Sequence, residues 1–596
     1  MKSRLFLLLS LSAALLAGCG SDSDSGDDVS SGGGSPATPT DPATFNFVEG
    51  TIAQAHAAMR DGTLTCETLV QGYIDRIRAY DDAGPELRSV IRVNPLALDR
   101  ARMLDADYSR SGATGPLHCV PVLLKDNFDT VDVTTTAGGM ALQYNQTPDD
   151  AFSVMGIVDA GGLILGKANL DEFAFGFRGS SSVRGQVKNA YDPTKGPGGS
   201  SSGTGAAIAA SFAMTGTGSD TGGSIRVPSS LEGLVGIRPS LRLVSQDGIL
   251  PLAASQDTGG PMCRTVEDCA LMLDAMVGFD DSPAANQRKE FAYDSAAIES
   301  AAEYATITNV PTTYTDFLDA DGLDGARIAA ILPLFGNGEG ENGQVQAALM
   351  DAIEKMRSAG ATVDVLTEAD LAERNVSTDE LTDFPSNSRF EFRRDATDYL
   401  MSWSSDLDGH LRSFDAVAAS GGYEERNAGT FAFYGAIGIA LENTDDMSED
   451  AVDYRNQYQR NIEERPTIVR NGLLRILENR DGDDMSANAL GAPYDALLYP
   501  SVQSLAPDLG SSPSAGSNNR LSPFSGFPAL SMPAGMVVPA ADDETADAEP
   551  ALPVGMELLA REFDEPTLIR LAYSYQENFA PRAAPTFTPE LAANDD

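Results

Sequence analysis

Two short serine sites hold the chemistry this chain can do. Residues 196–230 read GPGGSSSGTGAAIAASFAMTGTGSDTGGSIRVPSS, with Gly-Gly-Ser at 198–200 and again at 222–224. A serine hydroxyl becomes a nucleophile when a neighbouring base takes its proton. Glycines beside it let backbone N–H groups approach a reacting atom with no Cβ in the way. Such N–H groups can hold the negative oxygen of a tetrahedral intermediate. Gly/Ser stretches also serve as flexible linkers. Here the run GAAIAASFAM at 205–214 reads instead as a tight buried helix, which a linker does not supply.

The base must come from elsewhere. The only histidines are His56, His118 and His410, and a Ser-His-Asp arrangement needs one of them in place. Gly199-Ser200-Ser201-Ser202-Gly203 matches G-x-S-x-G. Ser201 with the downstream His410 is therefore one reading, that of a serine esterase or peptidase. A lysine can also serve if burial or nearby positive charge keeps its amine neutral. Lys125 ends the apolar run CVPVLLK and is the first candidate; Lys167, ending LILGK, is its rival. Either lysine could instead carry its ammonium out to water from a strand end.

The elements that must position these groups alternate between helix and strand. Helical spacing and N-cap residues predict helices over 65–80 (after Thr65), 95–106, 150–160, 205–212, 343–358 and 565–579, with another capped by Thr265. Short apolar runs predict strands at 88–93, 119–124, 163–167, 213–218, 233–237, 327–332, 361–365, 495–499 and 529–532. This pattern predicts an α/β fold with a large mixed β-sheet core flanked by helices. Residues 366–480 are helical, polar and poorly punctuated, and read as an insertion covering the site; the acidic run Asp542–Glu549 reads as a solvated loop.

Composition bounds the partners. The 596 residues carry 41 Lys+Arg against 87 Asp+Glu, a formal net charge of −46. That excludes general nucleic-acid binding, which needs a basic face to neutralise phosphates. At the N-terminus, Lys2 and Arg4 precede an apolar run too short to span a bilayer as a permanent helix, and the run ends at Leu16-Ala17-Gly18-Cys19. The segment resembles a bacterial lipoprotein signal. That resemblance implies a signal peptide over 1–18, lipidation of Cys19, a polar tether over 19–44 and a catalytic domain over 45–596. The protein is then exported and lipid-anchored to the cell envelope, facing the periplasm from the outer membrane, with its lipid as its one membrane contact. Cys66, Cys119, Cys263 and Cys269 remain; four cysteines admit three disulfide pairings, of which Cys66–Cys119 with Cys263–Cys269 is the one favoured here.

PVLLKDN around Lys125, GGSSSG at 198–203 and GSDTGGSIRVPSS at 218–230 resemble the amidase signature family. GKANLDEFA (166–174), GLVGIRPS (233–240), SQDTGGPMCRTVEDCALML (255–273) and GFPALSMPAG (526–535) extend the match from about residue 50 to 590. Ser224 lies 24 residues after Ser200 and 99 after Lys125, the separations expected of the family's catalytic positions. The resemblance implies a Ser–cis-Ser–Lys triad: Ser224 as nucleophile, Ser200 as the bridging serine after a cis Gly199–Ser200 peptide, and Lys125 as base. Backbone N–H groups of Thr221, Gly222, Gly223 and Ser224 are expected to form the oxyanion hole, with Asp220 and Arg226 structural. It implies an amidohydrolase that cleaves a carboxylic amide to acid plus ammonia or amine and requires no metal or organic cofactor, acting on a small-molecule or peptide amide. SQDTGGPM at 255–262 and the C-terminal LAYSYQ segment resemble bacterial peptide amidases. Ser202 and Cys119 stand where many members have glycine. The family also contains a cytoplasmic amidotransferase component that works on a tRNA-bound substrate; the export signal and acidity speak against that reading. A non-catalytic solute-binding lipoprotein is the alternative from outside the enzymes.

Overall fold

The computed structural model describes residues 45–282, 297–403, 409–483, 488–514, 516, 518–539 and 550–592. The expected signal peptide, Cys19, the tether over 19–44 and the acidic run Asp542–Glu549 lie outside the described residues. The strands are β1 (Val90–Val93), β2 (Pro121–Lys125), β3 (Leu163–Ala168), β4 (Ser180–Ser181), β5 (Gly185–Gln186), β6 (Thr215–Asp220), β7 (Val235–Arg238), β8 (Thr258–Cys263), β9 (Arg327–Ile331), β10 (Thr362–Leu366), β11 (Ala496–Pro500), β12 (Ala529–Val537) and β13 (Leu552–Leu559). Strands β4 and β5 form a separate ribbon. The others make one 11-stranded sheet in the order β1-β3-β2-β6-β8-β7-β12-β13-β11-β9-β10.

The sheet is mixed because two kinds of connection build it. β3, β2 and β6 run parallel, as do β11, β9 and β10, while the strands between pair antiparallel. Every residue of β2, β3 and β6 is buried. Strands covered on both faces read as continuous apolar or small-residue runs rather than alternating ones, which is how PVLLK and LILGKA read. Helices Cys66–Arg76 and Val266–Met276 begin where expected, with the Thr65 and Thr265 side chains accepting from the Thr68 and Asp268 N–H groups.

Several elements differ from expectation. The buried helix starts at Ser202 and ends at Ala209, three residues earlier than its alanine-rich stretch suggests, whereas the following strand starts two residues later and runs 215–220. That shift brings Ser219 and Asp220 into the sheet. β8, β13 and the helix Ile52–Arg60 were not expected. Within 366–480 the described residues form helices from Glu368 to Leu477. Two of them, Ser388–Met401 and Ala428–Glu442, seat Phe392 and Phe431 against Phe175, with ring centroids 5.0 and 5.3 Å away. This aromatic cluster packs the helical segment onto the loop that leads to the serines.

Candidate active site

Parallel neighbours end on the same edge of a sheet, the edge where open α/β sheets take their ligands. β2 ends at Lys125 and β6 at Asp220, side by side, and the Lys125 N–H donates to Thr217 Oγ1 at 3.1 Å. The Lys125 side chain is fully buried. Its Nζ lies 2.8 Å from Ser200 Oγ, 2.9 Å from Ser219 Oγ and 3.2 Å from the Ser219 carbonyl. Burial pulls the amine down to about 7, against the opposing pull of Asp220, Asp171 and Asp257. Near neutral pH a large share of it is therefore uncharged. A neutral amine has two N–H donors and one lone pair, so in that form Ser200 or Ser219 donates to it.

Ser200 is fully buried in the segment preceding helix Ser202–Ala209 and follows a cis Gly199–Ser200 peptide. Its carbonyl accepts from the Asp171 N–H (3.0 Å), and the next residue, Ser201, donates its N–H to the Ser224 carbonyl (3.1 Å). β6 permits this approach through Gly218, where a Cβ would fall 2.9 Å from Ser201 Oγ and 2.8 Å from Ile225 Cγ1. Ser224 sits between β6 and the helix Arg226–Leu231 and is 5 % exposed. Lys125 and Ser200 are thus hydrogen-bonded side chain to side chain, and Ser224 is tied to the serine run through its backbone. The Ser224 hydroxyl makes no hydrogen bond among the described residues.

The loop Thr221–Ser224 is shaped by Asp220. This carboxylate accepts from Gly223 N–H (2.7 Å), Ile225 N–H (3.1 Å), Arg226 Nε (3.1 Å) and Arg238 Nη1 (3.3 Å). Burial alone would raise its pKa, but Arg226 and Arg238 outweigh burial and hold it well below the usual carboxylate range. Arg226 also pairs with buried Glu557 at 2.5 Å. Gly223 has φ +122°, and a Cβ there would lie 2.9 Å from Asn519 Cβ. The expected oxyanion set needs a correction. The Gly223 N–H is engaged by Asp220, whereas those of Thr221, Gly222 and Ser224 have no partner among the described residues. Ser219, which sequence reasoning missed, joins the Lys125 cluster and also accepts from Asn127 Nδ2 at 3.0 Å.

The rival groups lie elsewhere. Ser201 is fully buried and its hydroxyl reaches only the Ser219 carbonyl, at 3.4 Å. The His410 ring lies 5.9 Å from that of Trp403, tilted by 59°, and neither ring nitrogen meets a serine among the described residues. The Ser201–His410 pairing is therefore not formed, because the helical segment carries its histidine to a different wall. His56 and His118 meet each other, with His56 Nε2 2.8 Å from the His118 carbonyl. Lys167 is locked to Asp126 at 2.9 Å and to the Phe128 carbonyl at 2.8 Å, holding the residue after Lys125 rather than a nucleophile. The cysteines pair as Cys66–Cys119 and Cys263–Cys269, with Cα–Cα distances of 5.6 and 5.5 Å.

Residues 68–569 match the family model described as Amidase. One component of the glutamyl-tRNA(Gln) amidotransferase of Exiguobacterium sibiricum is 30 % identical over 549 residues, spanning 89 % of this chain and 98 % of its own. The peptide amidase from Stenotrophomonas maltophilia is 30 % identical with a TM-score of 0.70, covering 91 % of this chain and 99 % of that one. An amidase family protein from Bacillus anthracis, 26 % identical with a TM-score of 0.68, covers 91 % and 93 %. The chain belongs to the amidase family, and it is a hydrolase acting on amide carbon–nitrogen bonds.

Proposed function

We propose that Ser224 is the acyl-carrying nucleophile and that Lys125 activates it through Ser200. The observation that carries this reading is the 2.8 Å contact between Ser200 Oγ and a buried amine depressed to about 7. Neutral Lys125 takes the Ser200 proton as Ser200 takes that of Ser224, and Ser224 Oγ attacks the amide carbonyl carbon. The anionic oxygen is held by the free N–H groups of Thr221, Gly222 and Ser224, one such donor being worth about 3 kcal/mol. As the C–N bond breaks, the proton returns from Lys125 through Ser200 to the leaving nitrogen. Water, deprotonated by the same relay, then releases the acid from Ser224. Ser224→Ala is expected to lower kcat by several orders of magnitude with substrate binding retained; turnover near the wild-type rate in that variant would falsify the assignment.

The substrate is a carboxamide, and C-terminal peptide amides are the first candidates, supported by the likeness to the Stenotrophomonas enzyme. A panel of peptide, aryl and short aliphatic amides, each with its ester, checks this by ranking kcat/KM. The likeness to an amidotransferase component favours a second reading, in which the chain acts within a complex. The net charge of −46 opposes a tRNA-bound partner; ammonia release from a simple amide by the isolated protein distinguishes the two. We further propose export with lipidation of Cys19. The two disulfides fit an oxidising compartment, and Cys19→Ser should release the protein from membranes.

A further inference from the structure

The oxyanion loop is held by a residue from another strand segment. Gln256 precedes β8, is fully buried, and has all four amide positions engaged. Its Nε2 donates to the Thr221 carbonyl at 2.9 Å and reaches Ser386 Oγ at 3.4 Å. Its Oε1 accepts from the Asn387 N–H and from Arg465 Nη1, both at 2.8 Å. These partners fix the amide's orientation, since turning it over would set its NH2 against an N–H and a guanidinium. Asn387 and Arg465 stand at the starts of helices Ser388–Met401 and Arg465–Leu477, so the grip comes from the helical segment.

A trans peptide points its C=O and N–H in opposite directions. Holding the Thr221 carbonyl therefore aims the Gly222 N–H. On the next peptide, Asn519 Nδ2 takes the Gly222 carbonyl and Asp220 takes the Gly223 N–H, so that plane has no donor left. The Gly222 N–H has no partner among the described residues, and a Cβ at Gly222 would meet nothing within 4 Å. Of the loop's unpartnered donors, it is the one whose peptide plane is fixed by a side chain from outside the loop.

We infer that Gln256 is a positioning residue that aims the Gly222 N–H at the developing oxyanion and so makes the helical segment part of the catalytic apparatus. This rests on Ser224 being the nucleophile. The test compares Gln256→Ala and Gln256→Glu with wild type and with Ser224→Ala. Glutamate keeps an oxygen for Asn387 and Arg465 but loses the donor to Thr221, so it separates aiming from helix seating. Both Gln256 variants are expected to lose 10- to 100-fold in kcat, less than the roughly 10²–10³ for deleting an oxyanion donor outright, because the N–H is misaimed rather than removed, with KM changed less than threefold. Affinity for a trifluoromethyl ketone analogue, which carries an oxyanion once Ser224 adds, should fall by the same factor as kcat/KM. Inhibition by the planar product carboxylate should stay within threefold of wild type, and Gln256→Glu should melt within a few degrees of it. If both variants keep kcat and ketone affinity within twofold while Ser224→Ala is dead, the inference fails and the nucleophile stands. Equal losses toward ketone and product would also overturn it, since they report a collapsed pocket. An active Ser224→Ala removes the nucleophile and this inference together.

Discussion

Lys125 supplies the sharpest test, because its buried amine titrates where assays are easily run. With the group at about 7, about one amine in eleven is neutral at pH 6 and about ten in eleven at pH 8, by simple proton binding. In the proposed relay the neutral amine is the base, so kcat/KM should rise about tenfold between pH 6 and 8 and then flatten, reporting the free enzyme. An ordinary lysine at about 10.4 would keep the rate climbing to pH 10. The same shift affects stability. A lysine held low binds fewer protons folded than unfolded between about 7 and 10.5, so stability rises with pH across that window. At pH 7 the burial costs on the order of 4 kcal/mol. Lys125→Met should therefore be inactive at every pH yet unfold no more easily than wild type at pH 7, its advantage shrinking toward pH 10. The assay is initial-rate hydrolysis of one amide from pH 5 to 10, paired with thermal melts of both proteins. A profile flat from pH 6 to 8, or one still rising tenfold per unit above pH 8, refutes a depressed Lys125 as the base.

Ser200→Ala should cost about 10²–10⁴ in kcat, the range for losing a positioned proton-transfer group, with KM and melting temperature nearly unchanged in parallel kinetics and melts. Asp220→Ala takes the shared carboxylate from buried Arg226 and Arg238, leaving Arg226 its pair with Glu557; breaking a buried pair this way costs about 3–5 kcal/mol, read by denaturant unfolding. Cys66→Ser and Cys263→Ser open pairs separated by 53 and 6 residues, so chain entropy predicts losses of about 4 and about 2 kcal/mol. Equal losses in the two would show that loop length does not govern them.

The proposed catalytic residues are legible in the sequence because each sits on a local signal. Lys125 terminates an apolar strand, and Ser200 and Ser224 each follow a glycine, Gly199 and Gly223, that the packing needs. β8 is hidden because Gly259-Gly260-Pro261 reads as a turn; pairing with β6 and β7 on either side overrides that propensity. β13 is hidden because both its faces are buried and LPVGMELL shows no alternation. The supporting groups are non-local. Gln256 and Arg465 meet across 209 positions, and no spacing rule reports that contact. The use of the Gly223 N–H by Asp220 depends on backbone direction, which residue types do not encode. His410 draws interest because histidines are scarce, but scarcity does not say where the loop before helix Phe414–Ser420 carries it.

Mapping the adduct left by a fluorophosphonate probe tests the nucleophile most directly. Digestion and mass spectrometry should find the phosphonyl group on Ser224, with labelling abolished in Ser224→Ala and strongly slowed in Lys125→Met. An adduct on Ser201, or undiminished labelling of Ser224→Ala, would contradict a lysine-driven Ser224.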